Sequence, residues 1–327
     1  YGKVCWNPDA DVEALLADHD ARMFGGGAKP MRRFFDLLER KWTREYAGNM
    51  VDTPLGPQVV VPDEKKVWTS IYSPAVMKEL DCDLRAASAA VPPDSIEARR
   101  IDLFRREYFE PLNGLSKRYA EKAASAAKLT YAVNSPIPMR LTTRLDLDAK
   151  GTKRTFPNGA SVSTEVSITL DEKSLTFDFA CEEPKMGDVS EIVVKRDEAI
   201  IWQDNNVELV LEVAADGSDV RHLFLGSNGT LYDAKGQIFG KTVRENDTGW
   251  ESGVETRVVR RPGGWDAHLA IPLASLPSPL PDRMRLSVCR TRSVKASARE
   301  YLTWSPYVNH YLDHAGWGAL LLDKPKK

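Results

Sequence analysis

Trp202 and the polar residues that follow it have the types and spacing expected of a sugar-binding site. Residues 203–206 read Gln-Asp-Asn-Asn, and Glu208 stands two positions further on, inside an apolar run. The face of an indole ring stacks on the C–H face of a sugar, while carboxylates and amides hydrogen-bond its hydroxyl groups. The cluster therefore predicts carbohydrate binding. In the alternative, Trp202 packs under a loop and residues 204–206 only form a turn.

Hydrolysis of a sugar would need more than this cluster provides. A glycoside hydrolase places two carboxylates about 5–10 Å apart across the scissile bond. Acidic residues are present, but in a β-sandwich such residues more often form turns, bind calcium or face solvent. The chain contains no GxSxG, HExxH, P-loop or dinucleotide-binding motif. We therefore assign no catalytic residue, and glycoside hydrolase activity of this chain stays an alternative.

Acidic residues near predicted loop ends supply the oxygen atoms that calcium prefers. They are Asp178, Glu182, Glu183, Asp197 and Asp204. A calcium ion takes about six to eight oxygens, some of them backbone carbonyls. The sequence does not identify which of these side chains converge. A structural calcium ion is thus an expectation without assigned ligands, and the absence of any metal is the alternative.

Composition and charge exclude other classes of partner. The 327 residues include 45 basic and 47 acidic side chains, which gives a net charge of −2. A nucleic-acid-binding protein would show a basic excess or a basic stripe, so nucleic acid is excluded as a partner. No apolar stretch approaches the roughly 18 residues of a membrane-spanning helix, so no membrane span is predicted. The length predicts two domains.

The first part of the chain has the periodicity of helices. Residues 1–127 carry apolar side chains at three-to-four spacing, as in the stripe formed by Met31, Phe34, Leu38 and Trp42. Such stripes bury one face of each helix against its neighbours. The pattern predicts an N-terminal helical domain.

The second part has the periodicity of strands. Apolar and polar residues alternate over residues 161–170 and 207–212, and turn signals separate such runs at short intervals. We expect half-buried strands over residues 141–327, with residues 128–140 as a linker. The predicted fold class is α+β and multidomain. A helical bundle (1–127) precedes an antiparallel, jelly-roll-like β-sandwich.

A series of short segments resembles the family-nine carbohydrate-binding modules and their relatives. In chain order they are 175–184 (LTFDFACEEP), 202–208 (WQDNNVE), 227–233 (SNGTLYD), 264–273 (GWDAHLAIPL), 303–306 (TWSP) and 316–318 (GWG). The resemblance spans about half of the chain. It implies an antiparallel β-sandwich that binds sugars and, in some members, holds structural calcium.

The resemblance also implies which residues contact the sugar. Trp202 and Glu208 match a Trp and a Glu that help to form the site in such members, while Asn205 stands where those members have an acid. A second Trp from a late loop encloses the sugar there, and Trp304 is the candidate here. We therefore expect Trp202, Glu208 and Trp304 to line the concave end of the sandwich. Asn205 and Asn309 are the expected secondary polar contacts.

Two sugar contacts of such members have no counterpart in this sequence. An Arg and an Asn of the next strand contact sugar there, and the nearest positions here are Leu225 and Ser227. We therefore expect weak binding. In the alternative, the sandwich is a structural accessory region that supports an upstream catalytic barrel without binding sugar. The two hypotheses differ in whether the face of Trp202 is exposed or buried.

The helical half has a resemblance of its own. Residues 4–9 (VCWNPD), with Phe24, Gly25, Ala28 and Met31, look like the tail of the catalytic barrel in large glycoside hydrolases akin to alpha-glucuronidases. The resemblance implies a catalytic domain upstream in the same protein. It also implies a bacterial protein that acts on polysaccharide outside the cytoplasm, whether secreted, periplasmic or on the cell surface. The present chain alone is expected to be non-catalytic.

Overall fold

Two compact units, Tyr1–Glu121 and Lys122–Lys327, make up the chain. The first is mostly helical and the second is built from β-strands. The predicted α+β architecture is therefore confirmed. The computed structural model describes residues 7, 9–48, 50–53, 56–147, 153–295 and 297–322. Most of the VCWNPD segment at residues 4–9 lies outside these described residues.

Helices α1–α5 belong to the first unit, and α6 continues from it into the second. Their bounds are α1 Val12–Phe24, α2 Ala28–Arg40, α3 Glu64–Lys66, α4 Pro74–Ala89, α5 Ile96–Phe104 and α6 Glu110–Ala126. Side-chain caps on Asp11, Ser73 and Ser95 satisfy free amides where α1, α4 and α5 begin. Strand β1 (Met50–Thr53) pairs with β2 (Gly56–Val59) in the antiparallel direction. Within the described residues, no helix combines the length and the apolar character that a bilayer crossing requires.

The apolar faces of these helices share one core, in which Phe34 and Leu80 are buried. Trp42, predicted on the same stripe as Phe34, is 54% exposed and stacks on Tyr46. The reason is a change of helix type, because α2 continues as the π-helical segment Lys41–Tyr46. Its wider turns alter the angle between successive residues, so the three-to-four spacing no longer predicts the buried face.

Strands β3–β17 form the second unit. Their bounds are β3 Thr130–Ala132, β4 Met139–Arg140, β5 Thr143–Leu147, β6 Lys153–Phe156, β7 Thr164–Leu170, β8 Ser174–Glu182, β9 Asn206–Glu212, β10 Val220–Gly226, β11 Leu231–Phe239, β12 Thr242–Asp247, β13 Glu255–Arg261, β14 Gly264–Pro272, β15 Arg283–Arg292, β16 Glu300–Thr303 and β17 Gly318–Leu321. In the described part of the chain they form two sheets. The smaller has the order β13-β14-β8-β7-β4, and the main path of the larger is β12-β11-β10-β9-β15-β16-β5-β6. Neighbours along both paths are antiparallel.

The main core lies between the two sheets. Phe177 and Trp265 of the smaller sheet and Leu209 and Leu286 of the larger sheet are buried in it. The alternation in β9 predicts one buried and one exposed face, yet every residue of this strand is buried. Loops account for the difference, because apolar residues of the segments before β9 and after β16 cluster on the outer face of the larger sheet.

Residues 128–140, predicted as a linker, contain β3 and β4. Strand β3 pairs with β17 in the parallel direction, and β4 pairs with β7. Pro136 and Pro138 stand between the two strands, where a missing amide hydrogen removes no ladder hydrogen bond. This segment therefore adds one short strand to each sheet.

Candidate functional site

The outer face of the larger sheet carries a pocket of about 510 Å³. Strands β9–β12 supply its floor, and β5, β15, β16 and two loops supply its walls. One loop precedes β9 and the other connects β16 to β17. The lining residues are Leu145, Ala199, Trp202, Glu208, His222, Phe224, Tyr232, Glu245, Thr291, Tyr301, His310, Tyr311 and Leu312.

Strand register brings the floor residues together. Glu208 of β9 lies opposite Phe224 of β10, and Phe224 lies opposite Tyr232 of β11. His222 stands two positions before Phe224 and is therefore on the same face of β10. Leu223, between them, points into the core between the sheets. The alternation that buries leucines on one face thus presents polar and aromatic residues on the other.

A buried histidine joins two carboxylates in this floor. Nε2 of His222 lies 2.8 Å from an oxygen of Glu208, and Nδ1 lies 2.7 Å from an oxygen of Glu245. The hydroxyl of Tyr232 donates to the other oxygen of Glu245 over 2.6 Å. Because both ring nitrogens face carboxylate acceptors, both carry protons and the imidazole is positively charged.

Burial and charge act in opposite directions on the pKa values of this group. Burial by itself lowers the pKa of His222, but the hydrogen bonds and negative charges of Glu208 and Glu245 outweigh it and raise the pKa to about 9. Burial raises the pKa of Glu245, yet its bond to His222 leaves that pKa lowered overall. Burial and the Glu245 carboxylate raise the pKa of Tyr232. Two carboxylates and one imidazolium carry a net charge of −1 at neutral pH.

Among the described residues, aromatic side chains form much of the pocket lining. They are Trp202, Phe224, Tyr232, Tyr301 and Tyr311. The rings of Phe224 and Tyr232 meet edge to face with centroids 5.7 Å apart, and those of Tyr301 and Tyr311 do so at 5.9 Å. Such contacts hold the rings in place. Trp202 is 46% exposed, so part of its indole is open to a ligand.

The polar run after Trp202 anchors the turn that presents it. Trp202 lies in the 3₁₀ turn Ala199–Gln203. Nδ2 of Asn206 donates to a carbonyl of this turn over 2.9 Å, and the Asp204 carboxylate accepts from the amide of Val193 over 2.7 Å. The run therefore does form a turn, as the alternative hypothesis holds, but the turn leaves the Trp202 side chain partly exposed.

Arg299 contacts two of the aromatic walls without lining the pocket itself. The central carbon of its guanidinium lies 5.4 Å from the ring centroid of Trp202. Its Nη1 donates to the hydroxyl of Tyr301 over 3.3 Å. A planar guanidinium stacks on an indole and hydrogen-bonds at the same time, so Arg299 fixes both rings.

The structure places two of the predicted site residues, Trp202 and Glu208, in this one pocket. Asn205 is fully buried and does not line the pocket. Asn309 does not line it either, because its backbone and side-chain N–H groups donate to the Asp313 carboxylate at 3.1 and 3.3 Å. Asn309 therefore shapes the loop that supplies His310 and Tyr311, its near neighbours.

The structure places Trp304, a predicted site residue, away from this pocket. Strand β16 alternates, so Tyr301 faces the pocket while Leu302 points into the core between the sheets. Trp304 follows Leu302 by two positions and packs against the same core, with its ring edge-to-face with Tyr131 at 6.4 Å. Of the residues of β16 and the position that follows it, Tyr301 lines the pocket and Trp304 does not.

Further pocket residues have no clear signal in the sequence. Glu245, Tyr301 and Tyr311 are single residues in ordinary strand or loop contexts. His222 and Phe224 are the exception, because their alternation along β10 indicates that both side chains lie on the same face of the strand. Leu225, where the sequence has no counterpart of a sugar-contacting residue, belongs to the core.

No group of three or more His, Cys, Asp or Glu side chains in the described part of the chain is arranged to hold a metal ion. Several acids considered for calcium have protein partners. Glu183 pairs with Arg290 and Arg292, and Asp178 pairs with His268. A structural calcium ion stays a prediction from the sequence.

No family model matches the chain, and no curated protein matches it. Similar solved structures include a carbohydrate binding module family 9 (CBM9) from Caldicellulosiruptor kristjanssonii in complex with cellotriose. It is 13% identical with a TM-score of 0.41, over 61% of this chain and 94% of that chain. Its complex with glucose is 12% identical with a TM-score of 0.40, over 60% of this chain and 97% of that chain. A Bacteroides uniformis protein to which carbohydrate binding has been ascribed is 13% identical with a TM-score of 0.44, over 60% of this chain and 99% of that chain. The similarity is distant.

Proposed function

We propose that the sandwich unit binds carbohydrate in this pocket. The observation that carries the proposal is an exposed indole and a buried carboxylate in one cavity, since Trp202 is 46% and Glu208 is 4% exposed. The indole offers a stacking face, and the carboxylate accepts hydrogen bonds from hydroxyl groups. The cavity of about 510 Å³ lies within the roughly 300–1,000 Å³ typical of small-molecule sites.

The expected affinity is weak. Stacking on one aromatic ring contributes about 0.5–1.5 kcal/mol beyond the burial of area. A hydrogen bond to a charged group such as Glu208 contributes about 1.5–3 kcal/mol. The loss of translational and rotational freedom offsets much of this gain. Burial of apolar area adds to these two terms, and we expect dissociation constants toward the weak end of the range from about 1 μM to 1 mM.

Calorimetry with soluble sugars tests the proposal. The panel comprises glucose and the cello-, xylo- and manno-oligosaccharides, titrated into the whole chain. At least one should bind, and Trp202→Ala should weaken it at least tenfold, because loss of stacking and of apolar contact removes about 1.4 kcal/mol or more. A variant that binds the same sugar with unchanged affinity would contradict the proposed site.

Trp42→Ala is the matched control. Trp42 is an exposed indole of the helical unit, 54% accessible, and it stacks on Tyr46. Its removal should leave sugar affinity unchanged. If no sugar binds at millimolar concentration, the carbohydrate proposal fails and the alternative of a structural accessory region takes its place.

We further propose, from sequence resemblance alone, that this is the non-catalytic C-terminal region of an exported bacterial glycoside-hydrolase-like protein. The catalytic domain would then lie upstream in cis. The support is the likeness of residues 4–9 and 24–31 to the tail of a catalytic barrel. The coding sequence upstream of residue 1 tests this proposal. A reading frame with a barrel and an export signal is expected there, and the absence of both would overturn it.

A further inference from the structure

We propose that the pocket binds a sugar that carries an ammonium group in preference to a neutral sugar, and that it rejects uronic acids. This inference rests on the proposed function and specifies the class of ligand for the same site. Three features of the pocket support it: the negative charge of its floor, the hydrogen-bond donors that are already bonded within the protein, and the aromatic side chains of its lining.

The charged groups of the pocket sum to one negative charge. Glu208 and Glu245 are both carboxylates, and His222 between them is the single cation that they share. Among the described residues that line the pocket, none is lysine or arginine. Nδ1 of His310 accepts a hydrogen bond from the amide of Leu312 over 3.0 Å, so this nitrogen is not offered to a ligand as a donor.

The donors next to the two carboxylates already have partners within the protein. Both N–H groups of His222 point at carboxylates, and the hydroxyl of Tyr232 donates to Glu245. The hydroxyl of Tyr311 donates to the backbone carbonyl of Arg290 over 2.7 Å. The floor therefore offers acceptors to a ligand. A uronate would bring further acceptors and a second negative charge, whereas an ammonium brings three donors.

The aromatic side chains of the pocket lining favour the same class of ligand. An ammonium is attracted to the face of an aromatic ring, and the attraction grows as water is excluded. Phe224 lies opposite Glu208 in the strand register, and the hydroxyl of Tyr232 contacts Glu245. The guanidinium of Arg299 lies 5.4 Å from the ring centroid of Trp202, so the positive charge nearest to the pocket is at its Trp202 wall. We therefore expect the sugar ring at Trp202 and its ammonium at Glu208 and Glu245.

Sugars that differ at a single substituent test this inference. Glucose, glucuronic acid and 6-amino-6-deoxyglucose differ only at carbon 6, and glucosamine carries its ammonium at carbon 2. Each is titrated into the whole chain at pH 7 in a calorimeter. At least one amino sugar should bind about tenfold or more tightly than glucose, and glucuronic acid should bind about tenfold or more weakly. The preference should shrink as salt rises, because ions screen the attraction.

A charge-removing variant and its control locate the effect. Glu245→Gln should reduce the preference for the amino sugar over glucose several-fold. Glu255→Gln removes an equal charge from an exposed residue of β13, in the other sheet, and should leave the preference unchanged. The salt titration uses the unaltered chain, so the inference stays testable if Glu245→Gln fails to fold.

The outcomes distinguish a failure of the charge preference from a failure of carbohydrate binding itself. Equal binding of neutral, amino and acidic sugars would overturn the charge preference and leave carbohydrate binding in place. Choline bound as tightly as the amino sugar would show a general ammonium site and overturn the sugar specificity. No binding of any sugar, neutral ones included, would overturn the proposed function itself.

Discussion

At the scale of single residues, His222 is the group that joins the two carboxylates of the pocket floor. It is 4% exposed and lies between Glu208 and Glu245, within 2.8 Å of both. A buried carboxylate is costly unless it is paired, and one imidazolium here pairs with two. The removal of its proton would leave the buried Glu208 carboxylate and the partly buried Glu245 carboxylate without their shared cation. The stability of the sandwich unit is therefore coupled to the protonation of His222.

This coupling predicts a loss of stability at alkaline pH. The pKa of His222 is raised from 6.5 in the unfolded chain to about 9 in the folded protein. A raised pKa contributes stability that is fully present below about pH 6.5 and is lost as pH rises through about 9. The difference between the two pKa values corresponds to about 3 kcal/mol. Urea unfolding from pH 6 to pH 10, followed by tryptophan fluorescence, should show a decline of this size.

His222→Gln should remove most of this pH dependence, whatever its effect at any single pH. His19→Gln alters a largely exposed histidine of the helical unit and should preserve the decline. A decline that is identical in the unaltered chain and in His222→Gln would show that other groups cause it.

The second prediction at the residue scale concerns Arg299 and its effect on sugar affinity. Arg299→Lys keeps the charge but replaces the planar guanidinium that contacts Trp202 and Tyr301. We expect sugar affinity to fall about two- to fivefold, as expected for the loss of about 0.5–1 kcal/mol of cation–π interaction. Calorimetry measures the affinity, and Arg257→Lys on exposed β13 serves as the control. An unchanged affinity would mean that packing alone positions Trp202.

At the scale of elements, strand periodicity determines which part of the site is predictable. The alternation over residues 161–170 predicts β7, and Val166 and Ile168 are buried in the core as it implies. Period two does not reveal whether the other face is open, and loops cover the outer face of β9. Strand β16 has only four residues, so its alternation is too short to identify in the sequence. The sequence therefore gave no sign that Trp304 lies on the opposite face of the strand from Tyr301 and away from this pocket.

The opposite faces of β16 predict opposite phenotypes. Tyr301→Ala removes a pocket wall and should weaken sugar binding at least fivefold with little change in stability. Trp304→Ala removes a ring that packs against the core and over Gly318, so it should cost about 2–3 kcal/mol of unfolding free energy. Its sugar affinity should be unchanged. Calorimetry and urea unfolding of both variants check this, and weak binding by a stable Trp304→Ala would restore Trp304 to the site.

At the scale of the whole molecule, each unit has its own core, and this division was predictable from the change of hydrophobic period. The assembly of the pocket was not. Its residues come from strands and loops that are distant in sequence, and only the sheet order brings β5, β9, β12 and β16 to one face. Single residues such as Glu245 carry no sequence signal of their place in that order. Trp202 and Glu208 were predictable because they stand six positions apart in one segment.

The boundary between the units gives the last prediction. The structure divides the chain after Glu121, whereas the sequence predicts a helical domain to residue 127. The last residues of α6 belong with the sandwich, because Lys122 pairs with Asp313 over 2.5 Å and Arg283 donates to the carbonyl of Ala127 over 3.3 Å. Asp313 also binds Asn309. These residues thus secure the loop that supplies Tyr311 to the pocket.

A fragment of residues 122–327 should therefore fold and bind sugar within about twofold of the whole chain. A fragment of residues 128–327 lacks Lys122, which pairs with Asp313, and should bind more weakly, because the loop between β16 and β17 is less well held. Lys122→Met in the whole chain tests the same contact without truncation and should weaken binding in the same direction. Circular dichroism confirms that each protein is folded, and calorimetry gives its affinity. If the 122–327 fragment folds but does not bind, while the whole chain does, then the sandwich alone does not make the site.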